Sequence, residues 1–220
     1  DQVANRTGYQ RLVSRLEPAA YRQAVCLVLG APFIPLVFMG EEYGDDRPFY
    51  FFTSFLDSEL GRKVCEGRRK ELVRQGWSGA VPDPQAMETF LACKLSWTWP
   101  AGSARAALRQ LYRDLIGCRK HWPAWRDFIH RRAVLHSAQQ PVVLELWRGN
   151  VATGAGTRLF CNLTAQLQPL PVGRTEEVLL FSSEWPQYGG ARGAETSQEV
   201  LLPWECAVFG PSAWRWLEPG

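Results

Sequence analysis

The sequence is poor in the residues that bind metals and carry redox chemistry. It contains three histidines, and none is spaced from another histidine or a cysteine as metal ligands usually are. Its six cysteines lie at least 25 residues apart, so Cys-x-x-Cys never occurs. The sequence therefore predicts no metal site, no zinc ribbon and no redox motif. We expect reduced, mostly buried thiols in a cytoplasmic protein.

The chain also lacks a strong charge excess and a long hydrophobic run. Its 25 Lys and Arg residues against 22 Asp and Glu residues form no basic stripe for nucleic acid. Three adjacent basic pairs are interpreted as solvated faces: Arg68-Arg69, Arg119-Lys120 and Arg131-Arg132. No charge occurs from Ala24 to Gly40, but Pro32 and Pro35 favour a helix, a turn and a strand there over a membrane span. We expect neither a nucleic-acid nor a membrane partner.

The first residues lack the initiator methionine and the apolar pattern of a signal peptide. The chain begins at Asp1 with a polar, turn-forming segment. We interpret it as a processed product or as the carboxyl-terminal part of a longer protein.

The stretch from Pro35 to Gly44 carries the clearest pattern. Residues 36–39 are a continuous apolar block, which predicts a strand buried on both faces. Gly40 allows a turn, and Glu41 and Glu42 follow at the carboxyl end of the strand, where α/β barrels place their catalytic groups. A helix predicted from Pro18, ahead of this strand, gives the βαβ order of a parallel sheet.

Further helices and a separate β region are predicted along the chain. Helical patterns cover residues 59–74, 84–94 and 104–120, the last with Ser103 as its cap. Short alternating segments at 142–147, 158–163, 177–181 and 199–202 predict an antiparallel β domain. We therefore divide the chain into domains 1–125 and 126–220.

Several motifs, taken in order, resemble one enzyme family. Asp1-Gln-Val-Ala-Asn5-Arg6 is similar to the tail of the His-Asp-Gln-x-x-Asn-Arg motif of malto-oligosyltrehalose trehalohydrolases, members of the α-amylase superfamily. The Pro35 to Gly44 stretch resembles the segment after the eighth barrel strand of that family. Supporting motifs are Phe51-Phe-Thr-Ser-Phe, Glu66-Gly-Arg-Arg69, Pro82-Asp-Pro-Gln and Lys94-Leu-Ser-Trp97. The resemblance covers residues 1–120.

The resemblance implies a fold and a set of site residues. It implies the carboxyl-terminal portion of a (β/α)₈ barrel, an α/β fold, followed by a small antiparallel β-sandwich domain. Asp1 matches the carboxylate that stabilises the transition state, and the nucleophile and the acid have no counterpart in this chain. The expected substrate-binding residues are Gln2, Asn5, Arg6, Glu42 and Tyr43.

The resemblance also implies an activity and its partners. The complete enzyme would cleave the α-1,4 bond next to the terminal trehalose of malto-oligosyltrehalose by a retaining mechanism, without a cofactor. It would bind this or a related α-1,4-glucan and work together with a malto-oligosyltrehalose synthase. The 220-residue chain alone is expected to be inactive.

Other interpretations remain open from the sequence. A fragment of a branching enzyme, or a non-catalytic glucan-binding or structural module rich in tryptophan, would also fit. Asp45 and Asp46 are further candidate carboxylates. Glu42 and Tyr43 could brace a loop instead of touching sugar, and the aromatics at 51–55 could form a sugar platform or a core.

Overall fold

The computed structural model describes residues 2–5, 9–136, 142–150, 153, 155–171 and 177–217. Within these ranges the α-helices are α1 (Gln2–Asn5), α2 (Pro18–Gly30), α3 (Ser58–Arg74), α4 (Met87–Ala92), α5 (Ala104–His121) and α6 (Pro123–Arg126). The strands are β1 (Arg131–His136), β2 (Val143–Asn150), β3 (Ala155–Asn162), β4 (Gln168–Pro169), β5 (Val178–Ser182), β6 (Val200–Leu201) and β7 (Cys206–Gly210).

The chain divides into two compact units. Unit 1 contains Asp1–Arg15 and Asp45–Thr98, and unit 2 contains Leu16–Gly44 and Trp99–Gly220. The domain division at residues 125 and 126 stays a prediction.

Unit 2 contains an antiparallel sheet, as the alternating segments predict. Its five strands have the order β1-β2-β3-β7-β5, and β4 pairs with β6 in a separate ribbon. Apolar side chains of this sheet and one from the ribbon form a buried cluster that consists of Val143, Phe160, Leu201, Ala207 and Phe209. Strands β1, β4 and β7 are missing from the prediction. The two-layer sandwich stays a prediction.

Helix α5 packs within unit 2 through the face that its period predicts. Leu108, Leu111 and Leu115 are buried at spacings of three and four residues. The Ser103 hydroxyl accepts a hydrogen bond from the Ala106 N–H at 3.2 Å, which confirms the predicted cap. A hydrogen bond of 2.7 Å from the Tyr188 hydroxyl to Asp114 joins α5 to the short 3₁₀ helix Pro186–Tyr188.

The predicted buried strand at residues 36–39 is wrong. The segment 34–38 forms no strand, and Leu36 is 90% exposed. Every strand pair in the described ranges is antiparallel, so the βαβ unit is not observed there either. The physical reason is that a strand depends on hydrogen bonds to a neighbour, and no described segment pairs with this one.

The basic pairs are only partly solvated, which corrects a second prediction. Arg68 is buried in unit 1, whereas Arg69 is exposed. In unit 2, Arg119 donates to the carbonyls of Leu29 and Phe33, and burial lowers its pKa. Guanidinium groups can be buried when carbonyl or carboxylate oxygens accept their hydrogen bonds.

The six cysteines form no disulfide bond, and five of them are buried.

None of the helices in the described ranges has the length and apolar character needed to cross a membrane.

Candidate functional site

The predicted site residues fall in three groups. Asp1 and Arg6 lie outside the described residues. Gln2 and Asn5 begin and end α1 in unit 1, and only the backbone of Gln2 is described. Glu42 and Tyr43 lie together in a short 3₁₀ helix of unit 2, Glu41–Tyr43. Each group is described within its own unit.

A buried arginine holds the end of α1. Arg68 on α3 has a side chain that is 6% exposed. Its Nη1 donates to Asn5 Oδ1 at 3.0 Å, and its Nη2 donates to the carbonyl of Ala4. A further bond of 2.8 Å runs from Nη1 to Glu71 Oε2, one turn along the same helix. The guanidinium therefore fixes residues three and four positions after Asp1.

Aromatic rings pack beside this arginine. Tyr9 is buried, and its ring lies 4.9 Å from that of Tyr50 and 5.9 Å from that of Trp77, both edge-on. Burial raises the pKa of the Tyr9 hydroxyl, although the nearby positive charge of Arg68 opposes the shift. The phenol therefore stays neutral and acts as a hydrogen-bonding group.

A pocket of about 450 Å³ opens next to Asn5. Its walls come from α1, from α3 and from the segment at Phe51, and its mainly apolar lining includes Val64 and Gly67. Phe51 is 39% exposed, and the Arg68 guanidinium lies 5.5 Å from the centre of its ring. The pocket therefore combines an accessible aromatic ring with the polar groups of Asn5 and Glu71.

Two glycines shape the turn that carries Glu42. Gly40 and Gly44 have φ angles of 87° and 66°, a left-handed conformation that favours glycine. Between them Glu41 Oε2 accepts the Phe38 N–H, and Glu42 Oε2 accepts the Gly40 N–H, both at 3.0 Å. Both carboxylates thus brace the turn by accepting hydrogen bonds from backbone N–H groups just before them.

Tyr43 is fully buried in unit 2. Its ring centre lies 5.0 Å from that of Trp99, and the Arg109 guanidinium lies over the same tryptophan at 4.6 Å. Nearby, burial raises the pKa of Tyr112, with smaller contributions from Tyr21 and from the carboxylates of Glu41 and Glu42. These contacts match the loop-bracing alternative, and the sugar contacts of Glu42 and Tyr43 stay predictions.

Asp45, another candidate carboxylate, connects the beginning and the end of the second segment of unit 1, Asp45–Thr98. Its Oδ2 accepts hydrogen bonds from the N–H and the hydroxyl of Ser96, both at 2.7 Å. Its Oδ1 accepts the Arg47 N–H at 2.8 Å, and the residue is fully buried. These hydrogen bonds satisfy the buried carboxylate and give it a structural role.

The sequence interpretation missed Arg68 and Glu71 as candidate site residues. Their signal is present in the sequence, because Arg68 and the buried Leu72 are four residues apart and share a helix face. The interpretation of Arg68-Arg69 as one solvated pair concealed it.

Comparison with known proteins gives the family relationship. No protein-family model matches the chain. A malto-oligosyltrehalose trehalohydrolase of Rhizobium sp. (strain M-11) is 40% identical over 152 residues, which are 69% of this chain and 26% of that protein. The one from Mycobacterium tuberculosis is 31% identical over 215 residues, 97% of this chain and 32% of that protein. This chain is related to the malto-oligosyltrehalose trehalohydrolases.

The solved structures agree with this relationship at the level of fold. A protein from Salmonella typhimurium assigned as an alpha amylase matches 96% of the chain with a TM-score of 0.74 and 30% identity. The match covers 34% of that protein. The chain therefore spans about a third or less of the trehalohydrolases and of the amylase-type structure that it resembles.

Proposed function

We propose that the complete gene product is a glycoside hydrolase that cleaves the α-1,4 bond next to the terminal trehalose of malto-oligosyltrehalose. The observation that carries this proposal is the 31% identity to the Mycobacterium tuberculosis malto-oligosyltrehalose trehalohydrolase, which extends over 97% of this chain. The ordered motifs from Asp1 to Trp97 support it. The product would be free trehalose and a shortened maltodextrin.

The mechanism would be retaining. This chain would supply the carboxylate that stabilises the transition state, and the rest of the complete gene product would supply the nucleophile and the acid. A carboxylic acid protonates the glycosidic oxygen while a carboxylate attacks the sugar carbon, and water then hydrolyses the covalent intermediate. Asp1 would place its negative charge where the oxocarbenium-like charge develops, which lowers the barrier without reorganisation. Neither the nucleophile nor the acid is assigned to a residue of this chain.

The contacts of Arg68 support this role for the Asp1 segment. A buried, hydrogen-bonded guanidinium holds Ala4 and Asn5. Restraint just after the carboxylate would limit its motion, and a transition-state stabiliser requires a fixed position. Gln2, Asn5 and Arg6 would bind sugar hydroxyls from the same segment, with Glu42 and Tyr43 as further sugar contacts.

The architecture and setting are proposed to follow the relatives. Residues 1–125 would be the last part of a (β/α)₈ barrel, and residues 126–220 its antiparallel β-sandwich domain. The protein would act in the cytoplasm, on an α-1,4-glucan whose end a malto-oligosyltrehalose synthase has converted to a trehalose unit.

The test is chromatography of the sugars that purified protein releases from malto-oligosyltrehalose. We expect trehalose from the complete gene product and none from the 220-residue chain alone. Asp1→Asn in the complete product should lower kcat by about 100-fold or more, whereas Glu195→Gln, at an exposed position, should leave it unchanged. Transfer of glucan to new branch points, without trehalose, would instead identify a branching enzyme.

A further inference from the structure

The pocket beside α1 has free hydrogen-bonding groups as well as an aromatic wall. Arg68 donates to Asn5 Oδ1, so the amide of Asn5 is oriented with its oxygen toward the guanidinium. The described residues offer no acceptor to the Asn5 NH₂ group. Likewise, Glu71 Oε2 accepts from Arg68, and the described residues offer no donor to Oε1. One donor and one acceptor are therefore left for a ligand.

The aromatic wall is accessible. Phe51 lines the pocket and keeps 39% of its surface exposed, although its ring lies near a guanidinium. An apolar ring next to polar groups suits a ligand with one apolar face and hydroxyls around its rim. A glucose unit has this form, because its C–H bonds lie on the faces of the ring and its hydroxyls lie at the edge.

The charges in the pocket oppose an anionic ligand. The Nη1 and Nη2 atoms of Arg68 already donate to Ala4, Asn5 and Glu71. The Glu71 carboxylate is half exposed, and it would repel a phosphate or a carboxylate. A neutral, hydroxyl-rich ligand meets neither obstacle.

We propose that this pocket binds a glucose unit of an α-1,4-glucan, with Phe51 as the stacking ring and with Asn5 and Glu71 as hydrogen-bonding partners. The proposal rests on the proposed function for the identity of the sugar. Arg68 is a positioning residue in this site, since it orients both polar partners. The volume of about 450 Å³ is within the range of small-molecule sites.

The experiment is a titration of the 220-residue chain with maltohexaose. Isothermal titration calorimetry measures the binding, and saturation-transfer NMR of the sugar detects the contact. Phe51→Ala should weaken binding about tenfold. Its control is Phe90→Ala, because Phe90 also lies in unit 1, is likewise 39% exposed, and is not among the residues that line the pocket.

A second pair of variants tests the hydrogen bonds. Glu71→Gln should weaken binding about threefold to tenfold, because a charged acceptor is replaced by a neutral one. Glu66→Gln is its control: Glu66 lies on the same helix, pairs with Arg62, and has a side chain 50% exposed, against 51% for Glu71. Circular dichroism of all four variants checks that the helix content of the chain is retained.

The outcomes separate the pocket from the proposed activity. Equal weakening of maltohexaose binding by Phe51→Ala and Phe90→Ala, or no binding by the folded chain, would overturn the proposal that this pocket binds glucan. If the complete gene product still releases trehalose, the proposed function survives that loss. Selective weakening by Phe51→Ala and Glu71→Gln, without trehalose release by the complete product, would keep the pocket and refute the hydrolase.

Discussion

At the scale of single residues, burial of charge is what the sequence pattern conceals. Arg68 and Arg69 are adjacent and chemically identical, yet only Arg68 is buried. The helical period separates them, because Gly61, Arg68 and Leu72 share the inward face of α3. The need for a cation on that face comes from Ala4 and Asn5, more than 60 residues away in the sequence. Such a distant partner has no local signature.

A second buried guanidinium gives a test of stability. Arg22 on α2 donates to both carboxylate oxygens of Glu184, and their side chains are 8% and 5% exposed. Arg22→Ala leaves a buried carboxylate without its partner, so we expect a loss of about 3–5 kcal/mol in the free energy of unfolding. Urea unfolding followed by circular dichroism measures it.

The control for that variant is an exposed ion pair. Arg62→Ala removes the pair with Glu66, whose side chains are 60% and 50% exposed. It should cost less than about 1 kcal/mol, because solvent screens the pair. Equal losses for Arg22→Ala and Arg62→Ala would contradict the burial argument.

Asp127 gives a test in acid. Hydrogen bonds from the backbone and side chain of His130, and from the Ile129 N–H, lower the pKa of Asp127 from 3.8 to about 2. A lowered carboxyl pKa contributes stability above about pH 4, and that contribution is lost as the pH falls through 2. Carboxyl NMR should show Asp127 titrating near 2.

The matched variants separate the two histidines. His130→Ala removes the ring nitrogen that lies 2.7 Å from Asp127 Oδ2 and should raise the pKa of Asp127 toward its ordinary value. His121→Ala should not move it, because the ring of His121 instead contacts the carbonyl of Gly117. Titration of Asp127 near pH 4 in the unsubstituted chain would refute the hydrogen-bond explanation.

At the scale of elements, the sequence predicts helices better than strands here. The period of α5 and its Ser103 cap are local, and the structure confirms both. The segment 36–39 has the composition of a buried strand, but composition supplies no neighbour to pair with it. Strands β1 and β7 are the opposite case. Their pairing partners are present, but neither segment shows the alternation of apolar and polar residues that the prediction required.

The cap of α3 makes a test at this scale. The Asp57 carboxylate accepts hydrogen bonds from the N–H groups of Glu59 and Leu60 at 2.8 and 3.1 Å. Asp57→Ala should weaken the first turn by about 1 kcal/mol and speed amide exchange there about fivefold. Ser54→Ala, at an exposed position just before the helix, is the control and should leave exchange in α3 unchanged. Unchanged exchange after Asp57→Ala would mean that packing alone holds this turn.

At the scale of the whole molecule, the sheet and the preceding helices of unit 2 share buried polar contacts. Gln23 on α2 donates to the carbonyl of Asn162 at 2.6 Å, and Arg148 on β2 donates to the carbonyls of Gly30 and Trp125. Such long-range bonds are invisible in local patterns. This is why the composition of the β region could be predicted while its attachment could not.

The exposed apolar segment of unit 2 leads to the last prediction. Ile34 and Leu36 are 89% and 90% exposed and lie two residues apart in the segment 34–38, which has no regular secondary structure. Exposed apolar side chains that lie close together in the sequence favour association between chains. Sedimentation of the 220-residue chain should therefore show a mass that rises with concentration, and Ile34→Lys combined with Leu36→Lys should suppress the rise.

A substitution at Ile129 is the control for this prediction, because it tests whether any exposed apolar side chain would have the same effect. Ile129 is 83% exposed, but it lies after α6, away in sequence from the segment 34–38. Ile129→Lys should leave the association intact, because Ile34 and Leu36 both remain exposed in that variant. If Ile129→Lys suppresses association as strongly as the double variant does, added positive charge is the cause. Association would then not depend on the exposed apolar side chains of residues 34–38.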